Sequence, residues 1–158
     1  MDYVFNMSEI LEMAEQIERN GAAFYRNAAK GVSDPQSSDL LLNLAQMEDQ
    51  HEKIFASLST QLSENEKTSA VFDPDGEAVL YLRALADTRV FFEKKIDTGS
   101  MEAILKEALT AEKDSIVFYL GMKELVPEKA GKAKIDSIIK EEMGHIKLLG
   151  KKLVELKK

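Results

Sequence analysis

The stretch QMEDQHEKIF, Gln46 to Phe55, places a glutamate and a histidine three residues apart inside an otherwise apolar helical pattern. At about 100° per residue, Glu48 and His51 fall on the same stripe as Leu41, Leu44, Phe55 and Leu58. A helix buries that stripe, so two polar groups on it need compensation. The pattern also occurs a second time. Sliding the sequence by 94 residues lays IERNGAAFY, Ile17 to Tyr25, over AEKDSIVFY, Ala111 to Tyr119, so that Glu18 meets Glu112, Phe24 meets Phe118 and Tyr25 meets Tyr119. The same offset superposes Glu48 on Glu142 and His51 on His145, the second Glu-x-x-His standing in EEMGH, Glu141 to His145. In each half the lone glutamate precedes the paired one by 30 residues, and these are the only two histidines in the chain. The two halves read as one helical hairpin used twice.

Helix punctuation agrees with that reading. Ser8 is placed to cap a helix over 8–30, with Gly31 as its stop. Asp34-Pro35 is a cap and first-turn pair for a second helix over 35–62. A third is expected over 100–125, ending against Val126-Pro127, and a fourth over 127–157. Residues 63–99 are too long for a bare connection and should carry structure of their own. Asp73-Pro74 followed by Val79, Leu80, Leu82, Leu85, Phe91 and Phe92 suggests a short amphipathic helix there, within a crossover from one end of a bundle to the other. Strand signals are nearly absent. The expectation is one all-α domain over 1–158, a bundle of four long helices.

Composition removes several functions. A formal charge of −7, with lysines scattered among acids, argues against nucleic acid as a partner. With no cysteine there is no disulfide, thiol nucleophile or iron–sulfur cluster. The N-terminal MDYVFNMSEI has an early acid and no basic region before an apolar core, unlike a signal peptide, and no apolar run approaches membrane-spanning length. A cytoplasmic protein is expected.

In such a bundle each long helix aims a carboxylate at the centre: Glu18, Glu48, Glu112 and Glu142, with His51 and His145 beside them. Four carboxylates cannot share a poorly solvated interior unless protonated or neutralised. Two divalent cations would balance the four charges. Carboxylates with one imidazole per metal suit iron or manganese better than zinc, magnesium or calcium.

This donor set resembles that of the ferritin-like di-iron and di-manganese carboxylate proteins. The phrasing around Glu18, Ile-Glu…Phe-Tyr, with its echo around Glu112, is similar to the rubrerythrin branch. The resemblance implies a ferritin-like four-helix bundle holding two iron ions per chain, with manganese or a mixed pair as alternatives. It implies Glu48 and Glu142 as bridging ligands, Glu18 and Glu112 as terminal ones, and Tyr25 and Tyr119 as hydroxyls that orient ligand carboxylates. The activity implied is reduction of hydrogen peroxide, or oxidation of ferrous iron by dioxygen. An external electron donor such as a rubredoxin-like protein and a homodimer are further implications, and the alternative is a non-catalytic iron-handling bundle. Two departures bear on the chemistry. The chain lacks the four-cysteine rubredoxin-type centre of full-length rubrerythrins. It also carries Ser115, with Gly21 at the matching place, where their third helix supplies another ligand glutamate one turn after the lone one.

Other acids near the motifs read as solvated helix-face charges. The 94-residue offset pairs none of Glu15, Asp49, Asp114 and Glu141 with another acid. Glu141, four residues before His145, has a register that would also let it face inward. The aromatics of 72–92 are expected to serve packing or dimer contacts.

Overall fold

The computed structural model describes residues 6–63, 77–87, 99–126, 128 and 131–158. Among them the regular elements are five α-helices: α1 (Met7–Lys30), α2 (Pro35–Gln61), α3 (Glu77–Asp87), α4 (Met101–Leu125) and α5 (Lys132–Leu156). The cap of α1 is Asn6 rather than Ser8. Asn6 Oδ1 accepts from the Glu9 amide at 2.9 Å, and Glu9 Oε2 accepts from the Asn6 amide at 2.9 Å. That reciprocal box needs a carboxylate or amide three residues after the cap, and counting from Ser8 the residue is Leu11. Asp34 caps α2 as expected, its carboxylate accepting from the Ser37 amide at 3.0 Å with Pro35 in the first turn. Ser100 caps α4, which ends at Leu125 as expected.

The fourth long helix starts at Lys132, later than the expected 127, and Pro127 itself lies outside the described residues. The reason is Gly131, whose φ of +113° is a left-handed conformation that precedes the first helical turn. A Cβ there would also stand 2.4 Å from Leu58 Cδ2, so a larger residue would have to displace the end of that side chain.

Helix α1 packs along α2 and α4 along α5, giving the two hairpins, while α3 lies on α4. Leu82 of α3 is fully buried, and Tyr81 donates its hydroxyl to the Val117 carbonyl at 2.8 Å. Gly121 permits this approach, since a Cβ there would meet the Tyr81 ring at 2.5 Å. The short crossover helix is thus present, though Leu80 faces solvent, and Asp73, Pro74, Phe91 and Phe92 lie outside the described residues. Among the described residues no helix is long and apolar enough to cross a membrane.

Two apolar clusters divide the interior. One holds Ile10, Leu11, Phe55, Leu58, Phe118 and Met122, the other Ala28, Leu41, Leu44, Ile104, Leu105 and Leu149. Along every long helix the polar residues of the repeat fall between a residue of one cluster and a residue of the other. Glu18 stands between Ile17 and Tyr25, and Glu142 and His145 stand between Ile139 and Leu149. The packed layers on both sides hold these helices against the strain of a polar centre, at about 25 cal/mol per Å² of apolar area removed from water.

Candidate metal centre

Each long helix delivers its part of the repeat to one place. Glu18 comes from α1, Glu48 and His51 from α2, Glu112 from α4, and Glu142 and His145 from α5, and none is more than 5% exposed. In α2 and α5 the three-residue spacing stacks carboxylate and imidazole on one face. His51 Nδ1 lies 3.1 Å from Glu142 Oε1 and 3.4 Å from Glu18 Oε2. His145 Nδ1 lies 3.0 Å from Glu142 Oε2, 3.3 Å from Glu112 Oε1 and 3.4 Å from Glu48 Oε1. The imidazoles face each other nearly parallel, at 19° with centroids 5.9 Å apart.

The donor atoms form two groups, Glu18, Glu48, His51 and Glu142 in one and Glu48, Glu112, Glu142 and His145 in the other, all within 4.8 Å of one another in each. An ion with bonds of about 2.0–2.2 Å keeps its ligands within about 4.4 Å, so little contraction is needed to close on one. Glu48 and Glu142 belong to both groups.

Tyr25 and Tyr119 stand seven residues beyond the lone glutamates of their own helices, but each serves the other half. Tyr25 donates its hydroxyl to Glu112 Oε1 at 2.5 Å, and Tyr119 donates to Glu18 Oε1. Both phenols are held well above their ordinary pKa, first by burial and then by the partner carboxylate, so they stay protonated donors.

Without cations, protons would have to balance the charge of this cluster. Burial pushes Glu18 well above the carboxylate range, and repulsion from Glu48 adds to it. Glu112 rises to about 8, through burial and then its contact with Glu142. Glu142 is drawn down despite burial and Glu48, because Glu112, His145 and His51 all favour its charged form. Burial opposes charge on the imidazoles, yet the surrounding carboxylates raise His51 to about 11 and His145 to about 12.

Hydrogen bonding among these groups remains incomplete. Glu18 Oε2, Glu48 Oε1, Glu142 Oε2 and both His145 nitrogens are buried without a hydrogen-bond partner among the described residues. His145 Nδ1 is within ion-pair distance of three glutamates, yet none is aligned to accept its hydrogen. Leaving five such atoms unmade is costly in a closed protein interior. Glu48 Oε1 and Glu142 Oε2 both crowd within 3.4 Å of His145 Nδ1, a set that cations would satisfy, while His145 Nε2 lies on the outer side of its ring.

The remaining acids divide. Glu15 pairs with Arg19 at 3.6 Å and Asp49 pairs with Arg26, both partly buried and outside the two donor groups. Asp114 stays outside the two donor groups. Glu141 departs from expectation: although its side chain is 45% exposed, its Oε2 lies 2.7 Å from His51 Nε2. Its place in EEMGH was the available signal, but the partner is the histidine of the other hairpin. Ser115 donates its hydroxyl to the Ala111 carbonyl of its own helix at 3.0 Å. At Gly21, a Cβ would meet Glu48 at 3.4 Å, ordinary contact.

A crystal structure from Thermotoga maritima, described provisionally as a ferritin-like diiron-carboxylate protein, is similar in fold. It superposes with a TM-score of 0.73 at 25% identity, over 98% of this chain and 99% of that one. Comparison with curated proteins gave no match. The family model for rubrerythrin matches residues 9–153, which covers most of all four long helices and every residue of the buried cluster. The chain belongs to the rubrerythrin family.

Proposed function

We propose that the chain is a di-iron, or di-manganese, carboxylate oxidoreductase that reduces hydrogen peroxide or oxidises ferrous iron with dioxygen. Glu18, Glu48, His51, Glu112, Glu142 and His145 would hold the two ions, with Glu48 and Glu142 bridging. The observation that carries this reading is that the two buried donor groups share those two glutamates. A reduced metal pair supplies two electrons at one place, the number that peroxide needs to become two waters. The protein's own part is to keep the pair dry and its ligands oriented. Tyr25 and Tyr119 fix Glu112 and Glu18 by donating their hydroxyls to one carboxylate oxygen of each. Loading the ions would displace protons from His51, His145, Glu18 and Glu112, so affinity should rise with pH.

With no cysteine in the sequence, electrons would come from a separate donor of rubredoxin-like chemistry, and a homodimer and a cytoplasmic setting go with this reading. A second reading, an iron-handling protein without turnover, draws on Ser115, which is bonded to its own helix where relatives carry a further ligand. Anaerobic reduction of the iron-loaded protein followed by stopped-flow mixing with peroxide separates the two. Oxidation of two ferrous ions per peroxide, faster than free ferrous iron in the same buffer, supports the enzyme. A rate no faster than free iron, with metal content intact, favours the iron-handling protein.

A further inference from the structure

We propose that Glu141 makes the two metal positions unequal, so that the ion beside His51 is held more tightly than the ion beside His145. This rests on the metal-binding reading above. The inner sides of the two imidazoles meet the same residue types, each Nδ1 lying near oxygens of Glu142 and of its own half's lone glutamate, although only His51 Nδ1 is aligned to hydrogen-bond, with Glu142 Oε1 at 3.1 Å. Their outer sides differ. His51 Nε2 lies 2.7 Å from Glu141 Oε2, whereas His145 Nε2 is buried with no hydrogen-bond partner among the described residues. The sequence repeat explains the contrast. Glu141 immediately precedes Glu142, and the residue that precedes Glu48 in the other half is Met47, which offers no comparable acceptor.

An imidazole that ligates through Nδ1 carries its remaining proton on Nε2. A carboxylate accepting that proton fixes the tautomer, pins the ring and makes Nδ1 a stronger donor. Losing such an outer partner typically weakens metal affinity by about 10–100-fold. The half-exposed position of Glu141 puts the expected effect near the low end, about tenfold. A surface carboxylate that only steadied the fold would affect both metal positions alike. Glu141 is thus a positioning residue that acts through His51 and on one side only.

Co(II) binding measured by chelator competition tests this in two backgrounds. The His145→Ala protein keeps the His51 corner and should bind its first Co(II) about tenfold more tightly than the His51→Ala protein. Adding Glu141→Ala should erase that advantage in the first background and change the second by less than about twofold. Should either background fail to fold by circular dichroism, Co(II) release from the otherwise wild-type protein to excess chelator decides. Two phases of equal amplitude that merge in Glu141→Ala support the inference. Equal affinities in the two backgrounds, or release in one phase from wild type, would overturn it while leaving two bound ions per chain. A wild type that binds no Co(II) would overturn the metal-binding reading and this inference together.

Discussion

The two hairpins contribute identical donors to the centre and differ in nearly everything that surrounds them. Glu18, Glu48 and His51 are matched one for one by Glu112, Glu142 and His145, and even the tyrosines exchange symmetrically, Tyr25 to Glu112 and Tyr119 to Glu18. Outside that set the halves part. Glu141 has Met47 as its counterpart, Ser115 has Gly21, and the turn of one hairpin runs through an ordinary glycine while the other needs a left-handed one. The difference teaches where constraint lies. Residues that would share two ions need one common geometry, while neighbours that would only modulate them do not.

The largest effect should appear when the symmetric part loses its cations. In the metal-free fold Glu112 titrates near 8, Glu18 is raised, and His51 and His145 titrate near 11 and 12, all above their unfolded values. The folded state therefore binds more protons than the unfolded one across neutral and alkaline pH, and stability must fall as pH rises. The histidine contribution is complete below about 6.5 and is lost through 11 to 12, while the penalty of ionising Glu112 grows from about 4.5 to 8. Glu142, drawn down, acts only on the acid side. Calorimetry of chelator-treated protein should show a lower melting temperature at about pH 9 than at about pH 6. Metal at 100 to 1,000 times its Kd should add about 3–4 kcal/mol, most visibly at the higher pH. A metal-free protein that grows more stable with rising pH would break the account of the shared centre.

The turns sharpen the asymmetry at intermediate size. Gly31, at φ −87°, is exposed and right-handed, so Gly31→Ala should change stability by less than about 0.5 kcal/mol. Gly131→Ala adds both left-handed strain and a clash with Leu58, and should cost about 1–3 kcal/mol in denaturant unfolding. Equal costs would show that the second hairpin has no special turn.

The smallest expected effect lies at the Gly21 and Ser115 pair. Ser115→Glu puts a carboxylate one helical turn from Glu112, within reach of the same ion, and should raise the rate of peroxide reduction severalfold with metal content unchanged. Stopped-flow mixing of the reduced variant and wild type reads this directly. Unchanged rates would mean that the missing glutamate is no handicap.

These contrasts also explain how far the sequence could be read. The fold and all six polar residues of the centre were legible because a 94-residue repeat and helical spacing are properties of the chain itself. The crossover helix was legible as existing, since no bare loop of that length suits a compact domain. The contact of Glu141 with His51 was not, because it joins residues 90 apart on different hairpins, and a surface acid four before His145 reads equally well as solvated. The crosswise tyrosine bonds were hidden for the same reason: spacing placed the hydroxyls near the centre but not across it. The sequence places the start of α5 too early because Pro127 is the stronger local signal, whereas nothing in the sequence beyond the glycine itself signals a left-handed Gly131.

The central claim is that the buried cluster holds two metal ions, and elemental analysis of protein from iron- and manganese-supplemented cells tests it most directly. Wild type and Glu15→Ala should both carry about two ions per chain, since Glu15 pairs with Arg19 and lies outside both donor groups. Glu48→Ala and Glu142→Ala, each removing a residue common to both donor groups, should fall below about one ion per chain. The same metal content in all four proteins would contradict the account.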